Sequence, residues 1–181
     1  LVQEKCAKLE YDLIVEKKVL SIGDIIFEFN EKEIFIIERK TLSDLISSIK
    51  DGRYEEQSYR LIHSTGLYRH NIVYLIEGFI SQLKSPMEKK IMYSAMTTLQ
   101  FFKGFNLVRT NSLQETAEWI IYSANKTQKE LKQNNYPWTD QTQEGEPKNY
   151  CAVIKKTKKD NITPENIGEI LLCQIPSVNS V

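Results

Sequence analysis

The sequence predicts an α/β domain, a mixed sheet flanked by helices, and three observations carry that prediction. Short apolar runs of strand length alternate with longer amphipathic stretches, the order in which helices pack against a central sheet. The runs IFIIE (34–38) and NIVYLIEG (71–78) are continuous in apolar character, the mark of strands covered on both faces. Thr41, Pro86 and the Ser112/Glu115 pair stand where helices need their start signals.

Taken in order, residues 2–10 read as a short helix with Val2, Cys6 and Leu9 on one side, and residues 13–20 and 24–29 read as strands. After the strand 34–38, Leu42, Leu45, Ile46 and Ile49 recur at helical spacing behind Thr41 as N-cap. Gly52 is expected to end or bend this helix before a second one at 54–64. The strand 71–78 closes on Gly78, a helix runs from Pro86 to Phe102 with proline in its first turn, and FNLVRT (105–110) is a strand. The last long helix, 112–131, opens with a capping box at Ser112 and Glu115. Its apolar face is Leu113, Ala117, Ile120, Ile121 and Ala124. Trp119 and Tyr122 fall on its less apolar side, as surface residues or a dimer contact, of which the contact is favoured.

The character changes after Leu131. Residues 132–149 are polar and carry Pro137, Gly145 and Pro147, the composition of a linker. A basic run KKTKK (155–159) follows, and Thr163-Pro164-Glu165 resembles the start of a short capped helix.

Formal charge is zero, with 24 basic and 24 acidic residues in 181. That argues against a strong non-specific binder of polyanions, although local patches matter more than the sum. Cys6, Cys151 and Cys173 include no C-x-x-C pair and are expected to be reduced thiols of an intracellular protein. His63 and His70 lack metal-ligand spacing to them, so both are expected at surface or structural positions. No apolar run has bilayer-spanning length and no signal-peptide pattern opens the chain, so no membrane association is expected. The first residue is Leu1, as expected of a processed product or an excised fragment.

The chemistry concentrates where IFIIE meets Glu38, Arg39 and Lys40. Residues two apart on a strand share a face, so E-x-K delivers an acid and an amine to one place. The pattern recurs along the chain. Glu88/Lys90 and Glu130/Lys132 lie in helical stretches, where this spacing splits the pair between faces, and Glu16/Lys18 has no acid on a preceding strand. Glu38/Lys40 has Asp24. An antiparallel hairpin centred on Glu31 would pair 29 with 33, 27 with 35 and Asp24 with Glu38, setting the two carboxylates about 5 Å apart. Such proximity is repulsive unless a cation or a proton joins them. The pairing depends on register, and the turn lacks the Asn-Gly signal that would fix it. Arg39 should point to the opposite face, with a salt bridge behind the site as its structural reading. Asp44 could complete a capping box with Thr41, and Asp51, Arg53, Glu55 and Glu56 could form a solvated face.

These residues resemble a known family. GD (23–24), IERKTLSD (37–44) and DGRYEEQSYRL (51–61) are similar to the nuclease domain of the XPF/MUS structure-specific endonucleases, with its G-D and E-R-K-x-x-x-D motif. The likeness continues through VYLIEG (73–78) and the helix from Ser112, spanning residues 9 to 131. It implies a restriction-endonuclease-like fold and a nuclease domain at 1–131, lacking its first strand because the family's acidic D-x-R-E-like strand would precede the chain. Residues 132–160 become the linker and 161–181 the start of a helix-hairpin-helix region, in which Ser177 replaces an expected glycine.

The resemblance further implies hydrolysis of phosphodiester bonds in branched DNA such as 3′ flaps, forks and nicked junctions, with Mg²⁺ or Mn²⁺. Asp24 and Glu38 would bind the metal, helped by the Arg39 carbonyl. Lys40 would position water, and Asp44 would bind metal through water or orient Lys40. Arg53, Gln57 and Arg60 would approach backbone phosphates, their spacing placing them on one helix face. Homo- or heterodimerisation through the nuclease domain and a nuclear location in a eukaryotic cell are also implied. The rival reading is a catalytically silent, nuclease-like DNA-binding partner, against which the intact motif argues. A generic restriction-type or repair nuclease of the same fold is a third, less suited to DGRYEEQ.

Overall fold

In the computed structural model, the structure describes residues 1–9, 11–137, 163–165, 167–172 and 175. The chain divides into two compact units, Leu1–Thr139 and Asp140–Val181. The expected linker beyond Pro137 and the basic run at 155–159 lie outside the described residues.

The first unit is built on a four-stranded mixed sheet in the order β1-β2-β3-β4, comprising β1 (Ile25–Phe29), β2 (Lys32–Thr41), β3 (Ile72–Glu77) and β4 (Asn106–Thr110). β1 is antiparallel to β2, whereas β2, β3 and β4 run parallel. Five helices cover it: α1 (Val2–Lys8), α2 (Leu42–Lys50), α3 (Arg53–Ser64), α4 (Pro86–Thr97) and α5 (Leu113–Lys132). A π-helical turn, Thr98–Phe102, continues α4. In the second unit α6 (Ile167–Leu172) begins where the Ile167 N–H donates to the Thr163 carbonyl at 3.0 Å.

Alternation along the strands makes two cores. On one face Ile36, Tyr74 and Ile76 pack with Leu45 of α2, Leu61 of α3 and Met92 of α4. On the other, Ile37, Val73 and Leu75 pack with Ile120 of α5 and Val2 of α1. Trp119, assigned by its sequence position to the less apolar side of its helix, packs against this second core instead. Tyr122 stays 51% exposed and meets Tyr11 edge-on.

Caps account for the helix starts. The Thr41 side chain accepts the Asp44 N–H, Ser85 accepts Met87 ahead of Pro86, and Ser112 accepts Glu115. Gly52, at φ 82°, turns the chain from α2 into α3, a left-handed conformation that glycine adopts without penalty.

Residues 13–20 do not form the expected strand. Leu13 and Val15 do alternate inward against Ile14, but Ile14 is 91% and Val19 100% exposed, and no ladder partner lies beside them among the described residues. Side-chain hydrogen bonds from Gln3 to the Val15 carbonyl and from the Cys6 thiol to the Leu13 carbonyl hold this stretch to α1. The apolar pattern of a strand is present without the neighbouring backbone that would make it one.

The hairpin also differs from its expected form. Its turn is two residues, Asn30 and Glu31, both at positive φ (50° and 62°), which suits the twist of paired strands. Phe29 therefore pairs with Lys32, and the expected 29–33 pair is absent. Ile34 is then the extra residue of a bulge, after which Phe27 pairs with Phe35 and Ile25 with Ile37. A ladder running without interruption from this turn would oppose Asp24 to Ile37. The bulge advances the register by one, and the ladder ends at Ile25 and Ile37, with the Asp24 N–H donating to the Ile37 carbonyl rather than entering a pair with Glu38.

Candidate functional site

Three consecutive charged residues end β2, and the pleat sends them to two faces. Glu38 and Lys40 point into the layer under α2 and α3, where they are 7% and 8% exposed. Lys40 Nζ donates to Glu38 Oε1 at 3.0 Å. Burial, and then the charge of Asp24, push the Glu38 carboxyl above the ordinary glutamate range, opposed by Lys40 and Arg60. The carboxylate thus sits where its negative charge is poorly compensated by the protein alone.

Asp24 enters from the start of β1. Its N–H donates to the Ile37 carbonyl at 2.9 Å, and its Oδ2 accepts the Arg39 N–H at 2.7 Å. The glycine before it is sterically required. Gly23 has φ 69°, and a Cβ there would lie 2.6 Å from both Cγ1 and Cδ1 of Ile36.

Asp24 and Glu38 line a common cleft of about 180 Å³, shared with Gln57 and Arg60 of α3. Arg60 donates to the Ser21 carbonyl at 2.8 Å and stands 3.7 Å from Glu56. The Gln57 Oε1 is buried and unpartnered. Thus Asp24, Glu38, Gln57 and Arg60 meet in one cavity, with Lys40 attached through Glu38. Asp44 and Arg53 lie elsewhere. The Asp44 carboxylate accepts the Thr41 hydroxyl at 2.7 Å, a local contact at the start of α2. Arg53 is ion-paired with Asp51 at 2.7 Å and exposed, within electrostatic reach of Asp44. Its spacing from Gln57 and Arg60 does not bring it into the cleft.

Arg39 points to the other side of the sheet, as strand alternation requires. Its Nε donates to Glu77 Oε2 at 3.0 Å and its Nη2 to Oε1 at 2.6 Å. Thr116 of α5 donates to Glu77 at 2.6 Å, and the Thr110 hydroxyl lies 2.6 Å from that of Thr116. Since the Thr116 proton goes to Glu77, Thr110 is the donor of that contact. Burial drives the Glu77 carboxyl upward, but the bonds from Arg39 and Thr116 outweigh it and hold the group below its ordinary range. Reasoning from sequence missed Glu77. The signal was present, since Glu77 ends the apolar run of β3 as Glu38 ends that of β2.

The donor set suits a hard divalent cation, which takes oxygen ligands and commonly only one or two protein carboxylates, the rest being water or phosphate. Two carboxylates and an unsatisfied amide oxygen face the cleft. Among the described residues no three His, Cys, Asp or Glu side chains form a metal cage.

A mixed sheet flanked by helices, carrying this acid–amine pair at a strand end, is a restriction-endonuclease-like α/β domain. The chain belongs to the ERCC4 domain family, whose profile matches residues 3–122. It is 33% identical over 126 residues to the crossover junction endonuclease mus-81 of Neurospora crassa, covering 69% of this chain and 19% of that protein. Over 85 residues it is 40% identical to the structure-specific endonuclease subunit MUS81 of Homo sapiens, covering 47% and 15%. The chain thus spans about a fifth or less of these curated relatives. Among solved structures it is similar to XPF from Aeropyrum pernix in complex with DNA, at 28% identity and TM-score 0.56, covering 72% of this chain and 60% of that one.

Proposed function

We propose that this chain is the nuclease module of a structure-specific endonuclease that hydrolyses one strand of branched DNA with a divalent metal, Mg²⁺ or Mn²⁺. The observation that carries the reading is the convergence of Asp24 and Glu38 on one cleft, with Lys40 hydrogen-bonded to Glu38, in a member of the ERCC4 domain family. A catalytically silent partner would have no use for a buried carboxylate–amine pair of this kind, so the silent reading is not favoured.

In this reading Asp24 and Glu38 hold the metal, which supplies Lewis acidity at the scissile phosphate and a bound water of lowered pKa. Lys40 orients a water from the Glu38 side and offsets developing negative charge. Arg39 acts through its backbone, whose N–H fixes the Asp24 carboxylate. Arg60, lining the cleft, and Arg53, at the start of α3, contact backbone phosphates, and Asp44 binds the metal through water or orients Lys40. Branched junctions as substrate, dimerisation through this domain, a nuclear location and a helix-hairpin-helix region from residue 161 belong to the same proposal. Among the described residues no helix is long and apolar enough to cross a membrane.

The test incubates the protein with labelled 3′-flap, fork and linear duplex DNA, with Mg²⁺ or with chelator, beside Glu38→Ala and Lys40→Ala. Metal-dependent cutting of branched substrates, lost in both variants, is expected. Cutting that survives chelation or both substitutions would overturn the reading.

A further inference from the structure

The cleft contains one atom that neither strand chemistry nor packing explains. Gln57 Oε1 is buried and has no hydrogen-bond partner, yet its side chain lines the same cavity as Asp24 and Glu38. Leaving a buried amide oxygen without a donor costs about 1–3 kcal/mol. Such an atom is kept where something absent from the bare protein satisfies it. The other buried orphan oxygens, the Tyr54 and Tyr74 hydroxyls, do not line this cavity and carry no such implication.

The identity of the missing partner follows from charge. Oε1 is an acceptor, so it repels another acceptor. A phosphate oxygen therefore suits it poorly, and the expectation that Gln57 contacts DNA phosphate does not match the end of the amide that is shut in. The nearby cationic side chains are turned to other acceptors, Arg60 to the Ser21 carbonyl and Lys40 to Glu38, and neither bonds this atom. A cation, or a water held by one with its protons turned outward, meets that need. The Asp24 and Glu38 carboxylates line the same cleft and draw a cation to it.

We propose that Gln57 supplies the third protein oxygen of the cation site, on α3, facing Asp24 and Glu38 across the cleft. The ligand class is a hard divalent cation with its hydration shell. This rests on the cation reading above and adds a residue from a different element. The α2–α3 turn at Gly52 then becomes part of what sets the geometry of the site, because it fixes where α3 stands over β2. Gln57 is a binding and positioning residue in this scheme, and the reacting groups remain those at the strand ends.

The experiment titrates Mn²⁺ alone into the metal-free protein by calorimetry, without DNA, comparing wild type with Gln57→Leu, Gln57→Glu, Asp24→Asn and Glu38→Gln. Thermal melting of each metal-free variant is recorded alongside. Gln57→Leu should weaken Mn²⁺ binding by about tenfold, in line with other residues that support a metal site, while its melting temperature does not fall. Gln57→Glu should bind more tightly than wild type. Unchanged Mn²⁺ affinity in both Gln57 variants, with weakened binding in Asp24→Asn, would overturn the proposal for Gln57 and leave the proposed function standing. Wild-type Mn²⁺ affinity in Asp24→Asn and Glu38→Gln would overturn the cation reading itself, and this inference with it.

Discussion

Arg39 and Glu77 join neighbouring parallel strands through two hydrogen bonds, 3.0 and 2.6 Å, with side chains 31% and 11% exposed. This pair sits behind the cleft, and the Arg39 N–H holds Asp24 in front of it. Glu77→Ala strips the guanidinium of both acceptors and leaves Thr116 without its own. A loss of about 2 kcal/mol is expected, the scale of hydrogen bonds to partly buried charges. Urea denaturation checks it. The double variant Arg39→Met with Glu77→Leu should recover part of the loss, since no charge is then stranded.

Two glutamates give opposite pH dependence. The Glu38 carboxyl is raised above its ordinary 4.5 by burial and Asp24. Its contribution is therefore most favourable below 4.5 and is lost as pH rises through the folded value. Glu38→Gln, which keeps an acceptor for Lys40, should stabilise the metal-free protein at about pH 7 and change nothing at about pH 4. Glu77 is held below 4.5, so its contribution is full above that value and lost as pH falls through the lower folded one. Glu77→Gln should destabilise at neutral pH, with the difference fading on acidification. Urea midpoints across the range separate the two.

Lys40 separates binding from chemistry. Its ammonium repels a cation at the Glu38 carboxylate that it contacts, so Lys40→Met should keep or tighten Mn²⁺ binding. Cleavage of a 3′ flap should fall by about 10²-fold or more, the usual scale for losing a group that orients or moves a proton. Retained cleavage would remove Lys40 from the catalytic set.

The turn of the hairpin is strained at Glu31, a non-glycine residue with φ 62°. Glu31→Gly creates the Asn-Gly pair that such turns prefer and should raise stability by about 1 kcal/mol. Urea denaturation checks it, and deleting Ile34, which removes the bulge yet leaves Phe27 opposite Phe35 and Ile25 opposite Ile37, should leave Mn²⁺ binding in place.

Gly23→Ala meets both an unfavourable φ and the Ile36 side chain at 2.6 Å. A destabilisation of about 2 kcal/mol is expected. Weakened Mn²⁺ binding should accompany it, because the residue that moves carries Asp24 with it.

Much of this was legible in the sequence because it depends on periodicity. The continuous apolar runs gave β2 and β3, the i, i+3, i+4 stripe gave α2, and strand parity alone placed Glu38 and Lys40 on one face with Arg39 behind. Three features were not legible, each for a physical reason. Residues 13–20 have strand-like alternation, but a strand is defined by its neighbour, which local pattern does not encode. The Asn30-Glu31 turn and the Ile34 bulge are two departures that cancel for the upper part of the hairpin, so the expected pair of Phe27 with Phe35 is present although it was reached from an incorrect turn. Glu77 went unnoticed because a single acid at the end of an apolar run looks like any strand exit until its partner across the sheet is known.

The alternating exposure of Glu38, Arg39 and Lys40 also acts on folding. If β2 paired one residue out of step, the guanidinium would enter the cleft, and the carboxylate and ammonium would be driven under α5, among Ile37, Val73 and Leu75 with no counter-groups to meet them. Such a misassembled chain would be rejected by the energetic penalty of dehydrated ions before it could mature. The same triplet that equips the molecule for its chemistry thereby proofreads the alignment on which that chemistry depends.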